Sequence, residues 1–333
     1  MSAPFPDPRE ARRLGWSRQV LGDATASLAR ASTDAGFRSY WRVSAGGDTC
    51  IVMDSPPALE DVRPWLRVHA LLEAAGVRVP RVLAEEVAEG FLLLEDLGSE
   101  TLLQVLDAGN TDALFDAALT QLLRLQSIAV PAWLPAYDQA LLSRELQLFE
   151  AWFLGRHLGV TLTAVERDAL ASVHRVLVHA ALAQPQVLVH RDFMPRNLMP
   201  VGDGPAVLDF QDAVVGPIAY DPLCLFKDAF LDWPQDRIDG WLDQYHARAA
   251  AAGLPVPPRA RFRRDVDLVG VQRHLKVLGI FARLHHRDGK PKYLQDAPRF
   301  ITYLDAVLPR HPELAPLSAL LERYVHPALP ERV

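Results

Sequence analysis

The spacing of the apolar residues changes once along the chain, near Gly98, and this change constrains the fold more than any other feature. Before it, short strand-like runs alternate with turn-forming residues. After it, longer segments rich in alanine and leucine repeat at helical spacing. A chain of 333 residues is also longer than a single core usually supports. The sequence therefore predicts two domains, residues 1–98 and residues 99–333.

Five strands and one helix are expected in the first domain. The strands are "SLARAS", "FRSYWRV", "TCIVMD", "RVLAEEV" and "GFLLLEDL", and the breaks between the first three are of the kind that close hairpins. The helix lies in "LEDVRPWLRVHALLEAAG", where Gly76 suits a left-handed C-terminal cap. The predicted fold class is therefore α+β, with a five-stranded antiparallel sheet followed by a mostly helical domain. Its helices are expected near 111–129, 137–158, 163–183, 236–252 and 262–284.

The composition excludes several classes of protein. The net charge of −6, from 35 basic and 41 acidic residues, gives no reason to expect binding to nucleic acid or to an anionic membrane. Cys50 and Cys224 have neither a metal nor a redox spacing, which favours a reducing compartment. The N-terminal segment lacks the apolar run of a secretion signal, and no stretch approaches the length of a membrane span. We therefore expect a cytoplasmic protein.

The stretch "VLVHRDFMPRNLM" carries residues that suit phosphoryl transfer. Asp192 and Asn197 lie in this stretch, and Asp209 follows at the end of the next apolar run. Transfer from ATP needs one carboxylate near the attacking hydroxyl, and an amide oxygen and a second carboxylate to hold the magnesium that bridges the phosphates. The spacing fits this set, because Asp209 can meet Asn197 across the metal. The alternative is a polar loop whose side chains only cap neighbouring structure.

A second His-Arg-Asp triplet, at His286 to Asp288, fails the same test. The residue five positions after Asp288 is Tyr293, which offers neither an amide nor a carboxylate. Its paired histidines also lack a spacing to companion metal ligands. We expect this segment to be a loop without a catalytic role.

The motifs "HRDFMPRNLM" and "VLDFQDAVVGPIAYD", with the strands before them, resemble those of the aminoglycoside phosphotransferase and choline kinase superfamily. A closer resemblance, in "STDAGFRSYWRV", "IVMDSPP", "LLEDLG" and "RHLKVLGIFARLHHRDGKPKYL", is to the bacterial anomeric kinases of cell-wall recycling, which phosphorylate N-acetylmuramic acid and N-acetylglucosamine. The resemblance spans nearly the whole chain. It implies a bilobal, protein-kinase-like fold, with ATP and Mg²⁺ as cofactors and a small-molecule sugar as substrate.

The resemblance also implies roles for individual residues. Asp192 would be the catalytic base, and Asn197 and Asp209 would bind Mg²⁺. The backbone from Glu95 to Leu97 would form the hinge that holds adenine. Asp221 would be a buried residue that steadies the catalytic loop. The first domain would then bind the nucleotide, and the second would hold the catalytic residue and the acceptor.

The nucleotide-binding domain departs from the protein-kinase pattern on its third strand. Protein kinases carry a lysine there that pairs the phosphates of ATP with a helix glutamate, whereas "TCIVMD" has none. Arg38 and Arg42 are candidate replacements, although strand alternation does not show whether their face meets the nucleotide or solvent. The candidate nucleotide-binding residues are Ser32, Arg38, Glu95 and Leu97. A catalytically silent nucleotide-binding protein is the alternative, but the presence of the base and both metal ligands favours catalysis.

The segment from Gln272 to Lys292 is basic within an acidic protein, with Arg273, Lys276 and Arg283 on one helical stripe. A basic wall fits an anionic acceptor, such as the lactyl carboxylate of N-acetylmuramic acid, better than a cationic one. A solvated helix face explains the stripe equally well. The expected function is a kinase of the anomeric hydroxyl of N-acetylmuramic acid and N-acetylglucosamine. A kinase of another small hydroxyl compound is the alternative, and the sequence does not predict the oligomeric state.

Overall fold

The computed structural model describes residues 9–32, 37–202 and 204–329, which belong to two compact units. Unit 1 consists of Met1–Gln121 and Arg196–Gln211. Unit 2 consists of Leu122–Pro195 and Asp212–Val333. The expected metal ligands therefore belong to unit 1, and the expected catalytic base belongs to unit 2.

Unit 1 is built on a five-stranded antiparallel sheet, as predicted. Its strands are β1 (Ser27–Ser32), β2 (Ser39–Ala45), β3 (Asp48–Asp54), β4 (Val82–Glu86) and β5 (Phe91–Glu95). They lie in the order β1-β2-β3-β5-β4, so that a second hairpin extends the first three strands. The predicted hairpin "STDAGF" falls mostly on residues 33–36, outside the described residues.

Two helices of unit 1 lie before Gly98 in the described part of the chain. The predicted helix is α2 (Arg63–Ala74), and Gly76 follows it with the expected left-handed backbone, at a φ of 71°. The other helix, α1 (Glu10–Leu21), was not predicted. It contributes Trp16 to an apolar cluster with residues of β2 and β3. On the same helix the buried Arg13 pairs with the buried Asp54 at 2.7 Å.

The rest of the chain is mostly helical, which confirms the α+β fold class. In chain order the further elements are α3 (Leu102–Val105), α4 (Thr111–Gln126), α5 (Gln139–Leu148), a π-helical segment (Phe149–His157), α6 (Ala164–Leu182), β6 (Gln186–Val189), β7 (Leu198–Met199), β8 (Ala206–Val207), β9 (Val214–Pro217), α7 (Tyr220–Phe226), α8 (Gln235–Ala251), α9 (Arg259–Asp288), α10 (Ala297–Val307) and α11 (Ala315–Leu320). β6 pairs with β9, and β7 pairs with β8.

The long helix α9 organises unit 2, because α5, α6, α10 and the π-helical segment all pack against it. Its close approach to α5 depends on Gly279, where a Cβ would lie 2.4 Å from the carbonyl carbon of Leu148. The prediction of a loop at His286 to Asp288 is wrong. α9 continues through Asp288, because Gly289 supplies the left-handed cap that ends it, at a φ of 64°. Within the described ranges, no helix is long and apolar enough to span a bilayer.

Candidate active site

A two-stranded ribbon in unit 1 brings the two expected metal ligands to one end. β7 pairs with β8, and the backbone N–H of Leu208 donates to the carbonyl oxygen of Asn197 at 2.9 Å. Asn197 and Asp209 therefore leave the ribbon at the same end. Asp209 is exposed and has a φ of 61°, an unusual backbone conformation for a residue other than glycine. Such strain is concentrated at functional sites, where it fixes the direction of a side chain.

Neighbouring residues hold Asp209 in place. Phe210, which follows it, is buried against Trp65 and His69 of α2, with ring centroids 5.0 and 6.0 Å away. The side-chain amide of Gln211 donates a hydrogen bond to Asp209 Oδ1 at 2.8 Å. Phe210 therefore anchors the backbone beside Asp209, and Gln211 holds one oxygen of its carboxylate.

The donor set of Asn197 and Asp209 fits Mg²⁺. An amide oxygen and an exposed carboxylate are hard donors, and Mg²⁺ keeps several waters while it takes phosphate oxygens as further ligands. Over residues 9–32, 37–202 and 204–329, no group of three or more His, Cys, Asp or Glu side chains could hold a metal ion. Two hard oxygen donors leave coordination positions of Mg²⁺ open for waters and other oxygen ligands.

The loop that carries Asp192 follows β6 in unit 2 and is held by Asp221. The fully buried carboxylate of Asp221 accepts hydrogen bonds from the backbone N–H groups of His190, at 2.7 Å, and Arg191, at 3.0 Å. Arg191 has a φ of 76°, so the backbone turns sharply just before Asp192. Burial raises the pKa of Asp221 to about 6 despite these hydrogen bonds. This is the steadying contact that the family resemblance implied.

Arg191 is committed to an ion network. Its Nη2 lies 2.5 Å from Oε1 of Glu145 on α5. The same carboxylate accepts a hydrogen bond from the hydroxyl of Tyr137 and lies 3.4 Å from Nζ of Lys276 on α9. Burial alone would raise the pKa of Glu145, but the charges of Lys276 and Arg191 lower it. The network ties the catalytic loop to two helices of unit 2.

Asp192 lies within the electrostatic field of several cations. Burial alone would raise its pKa, but the positive charges of Lys276 and Arg273 on α9, followed by His190 and Arg191, lower it. An ionised carboxylate can accept a hydrogen bond from a hydroxyl group and then its proton. Asp192 therefore has the protonation state that a base requires.

The basic stripe of α9 is not a solvated helix face at two of its positions. Arg273 and Lys276 are 3% and 6% exposed, so the solvated interpretation is wrong for both. Lys276 donates to the hydroxyl of Tyr220 at 3.1 Å, and Arg273 Nη2 donates to the sulfur of Met194, in the catalytic loop, at 3.9 Å. Arg283 is only partly buried. The charges of Arg273 and Lys276 therefore act on Asp192, a placement that the sequence did not reveal.

Arg38 and Arg42, at the second strand, have different partners in unit 1. The guanidinium of Arg38 pairs with the carboxylate of Glu60, with Nη2 2.9 Å from Oε1, and it also interacts electrostatically with Asp209. The guanidinium of Arg42 pairs instead with Asp96 at 2.5 Å. The charge of Arg38 therefore acts on the candidate metal ligand Asp209, whereas Arg42 is engaged by Asp96.

The expected adenine hinge lies at the end of β5. The backbone N–H of Glu95 donates to the carbonyl oxygen of Arg81 at 2.9 Å, so this amide is already used inside the sheet. Leu97 is half-buried, two residues further on. Ser32 is the last residue of β1, and its side chain lies outside the described part of the chain.

Sequence reasoning missed two acidic residues that shape these sites. Glu60 pairs with Arg38 across 22 positions, and Glu145 pairs with Arg191 across 46. Neither glutamate belongs to a motif, and only their three-dimensional neighbours distinguish them from other acidic residues of the chain.

Comparison with known proteins identifies the group to which these sites belong. Residues 27–263 match the model of the phosphotransferase enzyme family. The chain belongs to this family. It is therefore a phosphotransferase with a hydroxyl group as acceptor, as predicted.

Two relatives resemble this member of the family along most of its length. It is 54% identical over 300 residues to the N-acetylmuramate/N-acetylglucosamine kinase of Pseudomonas aeruginosa. The alignment covers 89% of this chain and 88% of the relative. It is 52% identical over 311 residues to the kinase of the same name from Pseudomonas putida, with 93% and 91% covered. The resemblance to this group of kinases is confirmed.

Solved structures support the same fold at much lower identity. Choline kinase LicA from Streptococcus pneumoniae superposes with a TM-score of 0.64 at 14% identity, over 89% of this chain and 99% of that chain. The ADP-bound aminoglycoside phosphotransferase APH(2'')-Ib superposes with a TM-score of 0.60 at 15% identity, over 88% and 97%. The kinase-like architecture is therefore shared although most side chains differ.

Proposed function

We propose that this chain is a cytoplasmic kinase that uses ATP and Mg²⁺ to phosphorylate the anomeric hydroxyl of N-acetylmuramic acid and N-acetylglucosamine. The observation that carries the proposal is the similarity, over 89% and 93% of the chain, to two kinases named for these sugars. The geometry supports it independently, because the ribbon presents a magnesium donor pair and the loop after β6 presents an ionised carboxylate.

In the proposed reaction the anomeric oxygen attacks the γ-phosphorus of ATP. The bond from this phosphorus to the oxygen that bridges it to the β-phosphorus breaks, and ADP leaves. Asp192 accepts a hydrogen bond from the sugar hydroxyl and takes its proton as the new bond forms. An anomeric hydroxyl is more acidic than an ordinary alcohol, so a carboxylate with a lowered pKa remains an adequate base.

Residues 1–98 are proposed to hold the nucleotide, and residues 99–333 the catalytic and acceptor groups. Adenine would lie against the hinge backbone from Glu95 to Leu97, with Ser32 and Arg38 near the phosphates. Asn197 and Asp209 would hold Mg²⁺, which when bound neutralises charge on the phosphates. Because the amide of Glu95 is used within the sheet, its carbonyl and the N–H of Leu97 are the expected adenine partners.

The proposed acceptor is a small sugar that is neutral or negatively charged, because positive charges act on Asp192. The buried cations Arg273 and Lys276 act on the same loop. A cationic acceptor such as choline would be repelled by them, because charges in a partly buried site are weakly screened. This supports an N-acetylated sugar over the cationic acceptors that other members of the superfamily use.

The test is ADP release with ATP and Mg²⁺ in the presence of one acceptor at a time. The acceptors are N-acetylmuramic acid, N-acetylglucosamine, glucose, choline and an aminoglycoside. Asp192→Asn removes the base, and Asp288→Asn is its matched control, because it changes the aspartate of the other His-Arg-Asp triplet. We expect release with both N-acetyl sugars, lost in Asp192→Asn and kept in Asp288→Asn.

Two other results would contradict the proposal. Release that only choline, glucose or the aminoglycoside drives would assign a different acceptor. No release with any acceptor, from a chain that unfolds cooperatively, would support a catalytically silent protein.

A further inference from the structure

The third strand lacks the cation that protein kinases carry there. β3, "DTCIVMD", contains no lysine or arginine, although kinases use a lysine of this strand to contact the phosphates of ATP. Triphosphate binding without a cation is difficult, because several negative charges must leave water together. A cation from elsewhere in unit 1 is therefore required if this unit binds ATP.

Among the candidate cations of unit 1, Arg42 and Arg13 are already committed. Arg42 donates to both oxygens of Asp96, at 2.5 and 3.0 Å, and to the carbonyl oxygen of Gly98 at 2.8 Å. It therefore braces the chain just after β5. Arg13 pairs with Asp54 on the side of the sheet where α1 packs. Neither guanidinium can serve the phosphates without breaking these contacts.

Arg38 is held differently, because its ion pair uses one edge of the guanidinium. Nε donates to Glu60 Oε2 at 3.1 Å, and Nη2 lies 2.9 Å from Glu60 Oε1. This two-point contact fixes the plane of the group. Among the residues that the structure describes, Nη1 is buried and makes no hydrogen bond. One edge is therefore clamped, and the other edge carries a donor that an anion would satisfy.

Glu60 is itself fixed before α2 begins. Its backbone N–H donates to the carbonyl oxygen of Pro56 at 3.0 Å, and its carbonyl oxygen accepts from the hydroxyl of Ser55 at 3.1 Å. The carboxylate is therefore presented from an ordered turn at the end of β3. A fixed carboxylate that clamps a partly buried cation lowers the entropic cost of ordering that cation when a ligand binds.

The electrostatic surroundings of Arg38 point toward the same ligand. Its charge interacts most strongly with Tyr40 and Glu60, and also with Asp209, the candidate magnesium ligand in unit 1. Phe210 follows Asp209 in the sequence and packs on α2. The turn that carries Glu60 comes just before the start of α2. A guanidinium whose charge acts on a magnesium carboxylate also attracts an anion that the metal binds. A nucleotide phosphate is such an anion.

We propose that Arg38 replaces the missing third-strand lysine as the cation that contacts the phosphates of the nucleotide, and that Glu60 positions it. The inference rests on the proposed function for the identity of the ligand. It assigns the task of the third-strand lysine to an arginine that precedes β2. It assigns the task of the helix glutamate to a glutamate that precedes α2.

The test compares the binding of ADP with that of adenosine, measured by titration calorimetry without an acceptor sugar. Adenosine reports the adenine site, and the difference between the two ligands reports the phosphates. Arg38→Met should weaken ADP between about tenfold and about hundredfold, because a charge-assisted hydrogen bond is lost, and should leave adenosine unchanged. Arg38→Lys should recover part of the loss, since it restores the charge without the two-point contact.

Glu60→Gln tests the positioning role. It should weaken ADP by about threefold to tenfold, and the double variant Arg38→Met, Glu60→Gln should bind ADP no more weakly than Arg38→Met alone. The matched control is Arg63→Met, which removes an exposed ion pair with Asp61 from the same turn. It should change neither ligand.

Equal weakening of ADP and adenosine in Arg38→Met would show a structural role and overturn the proposal. Unchanged ADP binding, or additive effects of the Arg38 and Glu60 changes, would overturn it as well. If the unaltered chain releases ADP with the sugars while Arg38→Met binds ADP normally, this inference fails alone. If the unaltered chain binds no ADP, the proposed function fails together with it. Adenosine binding in the same samples shows that each variant is folded.

Discussion

Asp221→Asn should change how the stability of the chain depends on pH. Asp221 is fully buried and accepts two backbone N–H groups of the catalytic loop. Burial raises its pKa from the ordinary 3.8 to about 6. Asparagine has nearly the same shape but does not titrate. The substitution therefore removes one ionisation from the folded state and leaves the packing of α7 almost unchanged.

The magnitude follows from proton linkage. Between about pH 4 and about pH 6 the folded chain keeps a proton on Asp221 that the unfolded chain has released, so the free energy of unfolding falls as the pH rises through this window. Each pH unit crossed is worth about 1.4 kcal/mol, which amounts to about 3 kcal/mol over the window. The free energy of unfolding of Asp221→Asn minus that of the unaltered chain should therefore rise by about 3 kcal/mol between about pH 4 and about pH 7.

The measurement is a set of urea unfolding curves for both chains across this pH range. Asp168→Asn, at an exposed position of α6, controls for the loss of one carboxylate. In the same samples kcat should fall in Asp221→Asn, because one amide oxygen cannot accept both loop N–H groups as well as a carboxylate does. A stability difference that stays constant from about pH 4 to about pH 7 would refute this account of Asp221.

Three further substitutions should change kcat, the magnesium requirement and the free energy of unfolding, respectively. Asp192→Asn should lower kcat by about a thousandfold or more while ADP still binds, measured by coupled assay and calorimetry, because the base is lost but nucleotide contacts remain. Asp209→Asn should raise the Mg²⁺ concentration for half-maximal activity at least about tenfold in a magnesium titration, because a charged ligand becomes neutral. Gly279→Ala should lower the free energy of unfolding by about 3 kcal/mol in urea, because its Cβ would overlap the backbone of Leu148.

Gly279→Ala has a matched control, and each of the three changes has a contradicting outcome. Gly240→Ala, in α8, adds a methyl group where the described residues leave open space, and it should be neutral or slightly stabilising. An equal effect of the two glycine substitutions would contradict the packing argument. Most of the turnover kept in Asp192→Asn, or an unchanged magnesium requirement in Asp209→Asn, would remove that residue from its assigned role.

The sheet could be predicted because its signals are local. Turn residues and short apolar runs identified all five strands, and Gly76 marked the end of α2. α1 escaped prediction because two of its buried positions are Arg13 and Ser17 instead of apolar residues. Arg13 is stable there because Asp54, 41 positions later, neutralises it. No periodicity of apolar residues can reveal a helix that is anchored in this way.

In the candidate site, too, the predictable features were those that depend on nearby sequence. Asn197 and Asp209 were predictable as neighbours because a short ribbon joins them. The burial of Lys276 was not, because its partner Glu145 lies far away in the sequence and makes an otherwise costly buried charge tolerable. The orientation of Arg38 was equally hidden, since it depends on the turn that carries Glu60. Residues within one local element were predicted, and those whose role depends on a distant counter-charge were not.

The position of the transferred phosphate tests the central claim most directly. The product formed from N-acetylmuramic acid, ATP and Mg²⁺ would be examined by a phosphorus–proton correlation NMR experiment, with the 1-O-methyl glycoside of the same sugar as a blocked substrate. Phosphorylation of the anomeric hydroxyl should give coupling between the new phosphorus and the anomeric proton, and no product from the methyl glycoside. Coupling to a proton on any other carbon, or phosphorylation of the methyl glycoside, would contradict it.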